Sequence, residues 1–184
     1  MLELASIWTP DLQQKNYRAL LEATSRPGLI QPIHFSQESA DALTAVLAAL
    51  LDGEVSVADV DQQIHQDSWP LFQAKRADVE SADYVVCQGH KAPMFEPKVG
   101  TLESPEHSAT LLLSVNSLNK GPLTLELTGP GIESSIKCSI SGLNNEWLKQ
   151  REDWVGAFPL GVDVLLMDQT HVLALPRTTV VEIF

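Results

Sequence analysis

The apolar positions of this chain switch between helical and extended periods, and the switches mark its elements. Tyr17, Leu20, Leu21 and Thr24 recur at i, i+3, i+4 and i+7, the spacing of an amphipathic helix. Asp11 is placed to cap that helix, and Arg26-Pro27-Gly28 to end it, because the residue before a proline is driven out of the helical region. Residues 29–33 read as a short strand, and Pro32 confines it to a sheet edge where a missing N–H breaks no ladder. Ser36 is expected to cap a second helix from Gln37 to about Leu51, closed by Asp52 and Gly53. Its Leu43, Val46, Leu47, Leu50 and Leu51 stand among alanines, so the helix should be buried on most sides.

Residues 54–82 carry the weakest pattern: a brief strand at 55–57, a short helix at 60–66, and an irregular stretch through Trp69 and Pro70. A compact apolar run at 83–87 predicts a central strand, and residues 88–93 form the loop at its carboxyl end, where ligands gather in open α/β sheets. Another strand is predicted at 109–115. Residues 123–127 and 136–140 alternate strictly, the mark of antiparallel strands with one wet face. Leu143, Trp147 and Trp154 share one face of a third helix, which starts at Asn144 or Asn145 and ends near Gly156. Two apolar runs, 164–167 and 172–175, flank the polar residues 168–171 and predict a hairpin with both strands largely buried. The order gives an α/β fold with a mixed β-sheet flanked by helices. One domain over residues 1–184 is expected, long enough to bury about 70% of its unfolded surface without cross-links.

Composition narrows the function classes. Twenty-four acids against twelve Lys and Arg give a net charge of −12, which repels phosphate backbones and anionic lipid, so neither nucleic acid nor membrane is an expected partner. No apolar run approaches the ~18 residues of a membrane span, and the N-terminus lacks a cationic start, so a soluble, cytoplasmic protein is expected. Cys87 and Cys138 both sit in apolar runs and read as small buried hydrophobes in a reducing compartment rather than as a bridge.

Candidate chemistry is sparse. Cys87 with His90 and Lys91 could supply a nucleophile and base at a strand end, but the spacing fixes no geometry and a structural cysteine is the favoured reading. Thr128-Gly129-Pro130-Gly131 could present amides to a phosphate; it lacks a Walker lysine and a following helix, so a plain turn is favoured. His34, His65, His90, His107 and His171 have no metal-ligand spacing, and no metal site is expected. Arg177, followed by Thr178 and Thr179 at the end of a buried strand, suits bidentate recognition of a carboxylate or phosphate. Its alternative is an ion pair with Asp163 or Glu182, and Asp163 needs such a partner if buried.

Several separated motifs carry a family resemblance. Ser25-x-Pro27-Gly28, Thr128-Gly-Pro-Gly-Ile132, Phe158-Pro-x-Gly-x-Asp163 and Pro176-Arg-Thr-Thr179 resemble, in this order, the H subunit of the carbon-phosphorus lyase system, the PhnH family of bacterial phosphonate breakdown. Tyr17 stands where the family more often has phenylalanine, and Ser108 where it has glycine, so Ser108 is expected to fit a left-handed turn poorly. The resemblance implies a fold like that of pyridoxal-phosphate-dependent transferases without the cofactor; no cofactor is expected. It also implies partner subunits G, I, J and L. With G, I and L the family is associated with displacing adenine from ATP by a phosphonate, giving a ribose 1-phosphonate 5-triphosphate, the I subunit being the catalytic candidate. On this basis the chain is expected to be a subunit that is inactive alone and forms a homodimer in isolation, with ATP and an alkylphosphonate as candidate contacts. The competing readings are a free-standing small-molecule enzyme and a purely structural scaffold. Trp8, Trp69, Trp147 and Trp154 are expected as exposed anchors of the kind enriched at interfaces.

Overall fold

The computed structural model of the protein describes residues 6–35 and 41–184. Helix α1, Pro10–Ser25, has proline in its first turn, where a missing N–H is harmless. Thr9, not Asp11, occupies the N-cap; Asp11 lies in the first turn, where its charge suits the helix dipole. The buried face also differs from the expected stripe. Asn16, Ala19, Leu20 and Ala23 point inward, whereas Tyr17 and Leu21 are exposed. Asn16 brackets the backbone of His34, receiving its N–H at 2.8 Å and donating to its carbonyl at 2.9 Å, which ties α1 to the segment after β1, Gln31–Pro32.

Helix α2, Ala42–Leu50, is capped by Asp41, whose carboxylate accepts the Thr44 N–H at 2.8 Å. The expected cap Ser36 and helix start Gln37 lie outside the described residues. Strand β2, Ser56–Asp59, follows; the helix expected at 60–66 is replaced by turns, and the stretch at Trp69 forms a short helix α3, Trp69–Phe72. The remaining elements are β3 (Lys75–Arg76), β4 (Tyr84–Gln88), β5 (Thr110–Ser114), β6 (Leu123–Thr128), β7 (Ile136–Ile140), α4 (Glu146–Val155), β8 (Asp163–Met167), β9 (His171–Leu175) and β10 (Val180–Ile183).

These strands make two sheets rather than one. The larger is mixed, in the order β1-β9-β8-β5-β4-β2-β3; β3, β2, β4, β5 and β8 run parallel, and β9 runs antiparallel to both of its neighbours, β8 and β1. The hairpin β8–β9 and the edge position of Pro32 follow the sequence reading. The smaller sheet is antiparallel, in the order β10-β6-β7, and its strand β10 had no counterpart among the expected elements. The central strands of the large sheet are apolar through their middle positions because both faces are covered, and their polar residues, Gln88, Thr110, Ser114 and Asp163, stand at the strand ends. Val164 and Leu166 of β8 face one core, with Leu125, Leu127, Trp147 and Trp154 of the small sheet and α4; Leu165 and Met167 face the other, with Leu20, Val46 and Leu47 of α1 and α2. Cys87 and Cys138 are free and buried, as expected.

Trp147 and Trp154 are core residues, 3% and 7% exposed, not surface anchors. Their indole N–H groups reach the Lys91 carbonyl and the Glu96 carboxylate, each at 2.6 Å, which satisfies the one polar atom that burial would otherwise strand.

Asp83 joins three segments. It accepts from the Ser56 N–H at 2.7 Å and hydroxyl at 2.6 Å and pairs with Lys98. Burial alone would raise its pKa, but the Lys98 and Ser56 bonds outweigh burial and hold the carboxyl below its usual range. A depressed folded value means that the stabilisation is full above the unfolded pKa of about 4 and is lost as pH falls through the lower folded value. Asp83→Asn should therefore flatten the acid limb of the stability curve below about pH 4. Chemical denaturation at a series of pH values checks this; superimposable acid limbs would contradict it.

Candidate functional site

Asp163 opens β8 and Arg177 follows β9, so the antiparallel register of the hairpin brings them side by side. The Arg177 backbone N–H donates to Asp163 Oδ1 at 2.8 Å, Nε to the same oxygen at 3.4 Å, and Nη2 to Oδ2 at 2.6 Å. Nη2 also donates to the Ser108 hydroxyl at 2.5 Å, and Nη1 to the carbonyls of Pro105 and Pro159 at 2.9 and 3.3 Å. A guanidinium has five N–H donors in a fixed fork, and all of them are occupied here. Of the two roles open to Arg177, the geometry displays the ion pair; Glu182 lies away on β10 and takes no part in it. Ser108 has an ordinary φ of −74°, so the expected strain at this position is absent, and its hydroxyl serves as an acceptor that glycine could not provide.

Beneath Arg177 a groove of about 550 Å³ runs between α4 and the connection from β9 to β10. Leu148, Val155, Phe158 and Val181 give it apolar walls, and the exposed Thr178 lies on its rim. Arg151 and Thr179, 4% and 2% exposed, line it from within. Arg151 Nη2 donates to the carbonyls of Pro176 and Thr179 at 2.6 and 2.9 Å. Burial pulls its guanidinium down to about 10, against the opposite pull of the Asp163 carboxylate, so it stays charged at neutral pH.

At the carboxyl end of β4, Cys87 and Lys91 line a second cavity of about 620 Å³ together with Asp61, Met94 and Phe95; His90 does not line it. Lys91 pairs with Asp61 at 2.6 Å. Burial pushes the Cys87 thiol far up, the opposite of what a nucleophile needs. His90 is exposed in the following turn, where its carbonyl accepts from Asn144. The structure thus brings Cys87 beside Lys91 and leaves out the expected base. Among the described residues no cluster of three or more His, Cys, Asp or Glu could hold a metal ion.

The glycine loop between β6 and β7 packs against protein instead of opening to solvent. Gly131 has φ +84°, and a Cβ there would lie 2.2 Å from the Ser25 carbonyl oxygen. Gly129, at φ +129°, would place one 2.8 Å from the carbonyl oxygen of Thr178. Both positions need glycine for conformation and for close backbone approach.

Residues 6–182 match the bacterial phosphonate metabolism proteins designated PhnH. The chain belongs to the PhnH family. It is 38% identical over 173 residues to HtxG of Stutzerimonas stutzeri, a protein named as a C-P lyase subunit, covering 94% of this chain and 87% of that one. It is 28% identical over 180 residues to the PhnH subunit of alpha-D-ribose 1-methylphosphonate 5-triphosphate synthase from Rhizobium meliloti (strain 1021), covering 92% and 90%. In this PhnH-family chain the four quoted motifs touch one another in succession. The loop at Gly131 abuts Ser25, Gly129 abuts Thr178, and Arg177 binds Asp163 and Pro159.

Arg151 was missed by the sequence reading, although its signal was present. It lies four residues after Trp147 and three before Trp154, on the apolar face of α4, where a charge needs a reason. For Arg177, removal should act first on architecture. Arg177→Ala leaves Asp163 and two loop carbonyls without their donors and should cost about 2–3 kcal/mol, less than a fully buried pair because the Asp163 side chain is 33% exposed. Asp163→Asn in the same background should recover part of that loss. Urea denaturation measures both; an Arg177→Ala protein as stable as the parent would contradict the ion-pair account.

Proposed function

We propose that this chain is a subunit of the bacterial carbon-phosphorus lyase system. Its partners in that system are subunits G, I, J and L, and with G, I and L it acts in the step where a phosphonate displaces adenine from ATP to give a ribose 1-phosphonate 5-triphosphate. The observation that carries this reading is the similarity along nearly the whole chain to HtxG, named as a C-P lyase subunit, joined by that to the synthase subunit PhnH. The geometry favours a contributing subunit over a self-sufficient enzyme. Arg177 has its donors committed, the Cys87 thiol is held protonated, and Lys91 is engaged by Asp61.

The wider architecture is that of a single domain, a pyridoxal-phosphate-transferase fold put to use without the cofactor; the mixed sheet covered on both faces supports it. Among the described residues Lys91 is the lysine at the carboxyl end of a central strand, and its ion pair makes it a poor fit for an aldimine. A homodimer in isolation is part of the same proposal, supported by exposed apolar groups at Phe158, Val180, Ile183 and Phe184.

Incubation of the purified chain with ATP and methylphosphonate, with and without the partner subunits, tests the central reading by release of adenine. Adenine should appear only when this chain and its partners are combined. Release by the chain alone would establish a free-standing enzyme; equal release by the partners without it would leave a scaffold at most.

A further inference from the structure

On one face of the large sheet, α4 and the small sheet cover β5 and β8, whereas β4 and β2 are covered chiefly by two connections. Residues 77–83, from β3 to β4, pack there through Ala77 and Val79, and residues 89–109, from β4 to β5, through Phe95 and Val99. The connection that leaves β2, residues 60–74, packs on the opposite face through Ile64 and Phe72. The paired parallel strands β2 and β4 thus send their chains to opposite faces of the sheet. Such a divergence opens a crevice at the carboxyl ends of the two strands, which is where open α/β sheets bind ligands.

The cavity lined by Cys87 and Lys91, about 620 Å³, lies in this crevice and has the size of a small-molecule site. Val60 and Met94, 46% and 93% exposed, stand at its rim, and Val79 and Phe95 line its sides. Cys87 and Trp147, both buried, close its base, and the Trp147 N–H is engaged by the Lys91 carbonyl. The hollow therefore offers apolar surface that the fold itself leaves uncovered, and an apolar body seated there would remove it from water.

Charge decides what that body carries. Asp61, whose side chain is 8% exposed, accepts from Lys91 at 2.6 Å and from the Gln88 N–H at 2.7 Å. Burial alone would raise its carboxyl, but those bonds hold it below its usual range, so the Asp61 and Lys91 charges stay on and satisfy each other. Glu80, exposed on the wall, makes no ion pair among the described residues. The cavity is left with a net negative charge, in a chain of net charge −12, and both fields favour a cation over an anion.

We infer that the crevice between β2 and β4 binds a small organic cation, an amine with an apolar or aromatic body, the body lying on Val60, Met94 and Phe95 and the ammonium pairing with Glu80. This site is separate from the groove beneath Arg177, and it does not rest on the function proposed above.

Calorimetric titration and thermal melting of the isolated chain test this with phenethylamine, 3-phenylpropionate and methylammonium at neutral pH. Phenethylamine should bind and raise Tm; 3-phenylpropionate, with the wrong charge, and methylammonium, with no body, should bind at least tenfold more weakly. Glu80→Gln changes an exposed side chain, so it should melt as the parent does without ligand, yet bind phenethylamine about fivefold more weakly. Val60→Lys, at a rim position that is half-exposed, should fold and not bind it. A parent that does not bind phenethylamine overturns the site, and so does a Val60→Lys protein that binds it as the parent does. Equal binding of 3-phenylpropionate, or unchanged binding by Glu80→Gln, overturns the choice of a cation. Equal binding of methylammonium overturns the role of the apolar walls. Neither ATP nor partner subunits enter the measurement, so its failure is separate from failure of the adenine assay.

Discussion

A guanidinium is planar and rigid, so when its donors are all engaged it fixes the relative positions of everything that accepts from it. Arg177 does this for three segments: the start of β8 at Asp163, the turn around Pro105 and Ser108, and the approach to β8 at Pro159. Those segments are largely irregular and have few ladder bonds of their own, so side-chain donors must satisfy their carbonyls. The ion pair with Asp163 gives the fork its charge balance. The connection from β9 into β10 departs from this point, and the large sheet is thereby tied to the small one.

The same clamp shapes what the chemistry can be. Because Arg177 is consumed by architecture, the motif that most suggests anion recognition does not itself present an anion site. The turn it anchors puts the Pro176 and Thr179 carbonyls over Arg151 on α4. The chain of contacts from Ser25 through Gly131, Gly129 and Thr178 to Arg177 and Asp163 explains why motifs far apart in sequence belong together. A membrane role finds no support from the helices, since none among the described residues is long and apolar enough to cross one.

Much of the fold was legible from periodicity alone. The runs at 83–87, 109–115, 164–167 and 172–175 became β4, β5, β8 and β9 because buried strands leave an unbroken apolar signature, and strict alternation gave β6 and β7. The misreadings have definable causes. Tyr17 and Leu21 satisfied helical spacing yet face outward, since α1 packs through small residues and Asn16. Strand β10 was hidden because three of its four residues are exposed and its pairing with β6 is non-local. The tryptophans looked like surface anchors, but residue type does not report burial; only the helical phase of Trp147 and Trp154 does. That phase also contained Arg151. Asp163 and Arg177 were readable as a pair, whereas Ser108, Pro105 and Pro159 could be joined to them only in three dimensions.

Hydrogen exchange on the parent and on Arg177→Ala, read peptide by peptide, tests the coupling of the three segments most directly. The account predicts that protection falls together in residues 99–109 and 157–164 as well as around 176–179, while α1 and α2, which pack on the opposite face of the sheet, exchange as in the parent. Loss of protection confined to residues 176–179 would contradict it.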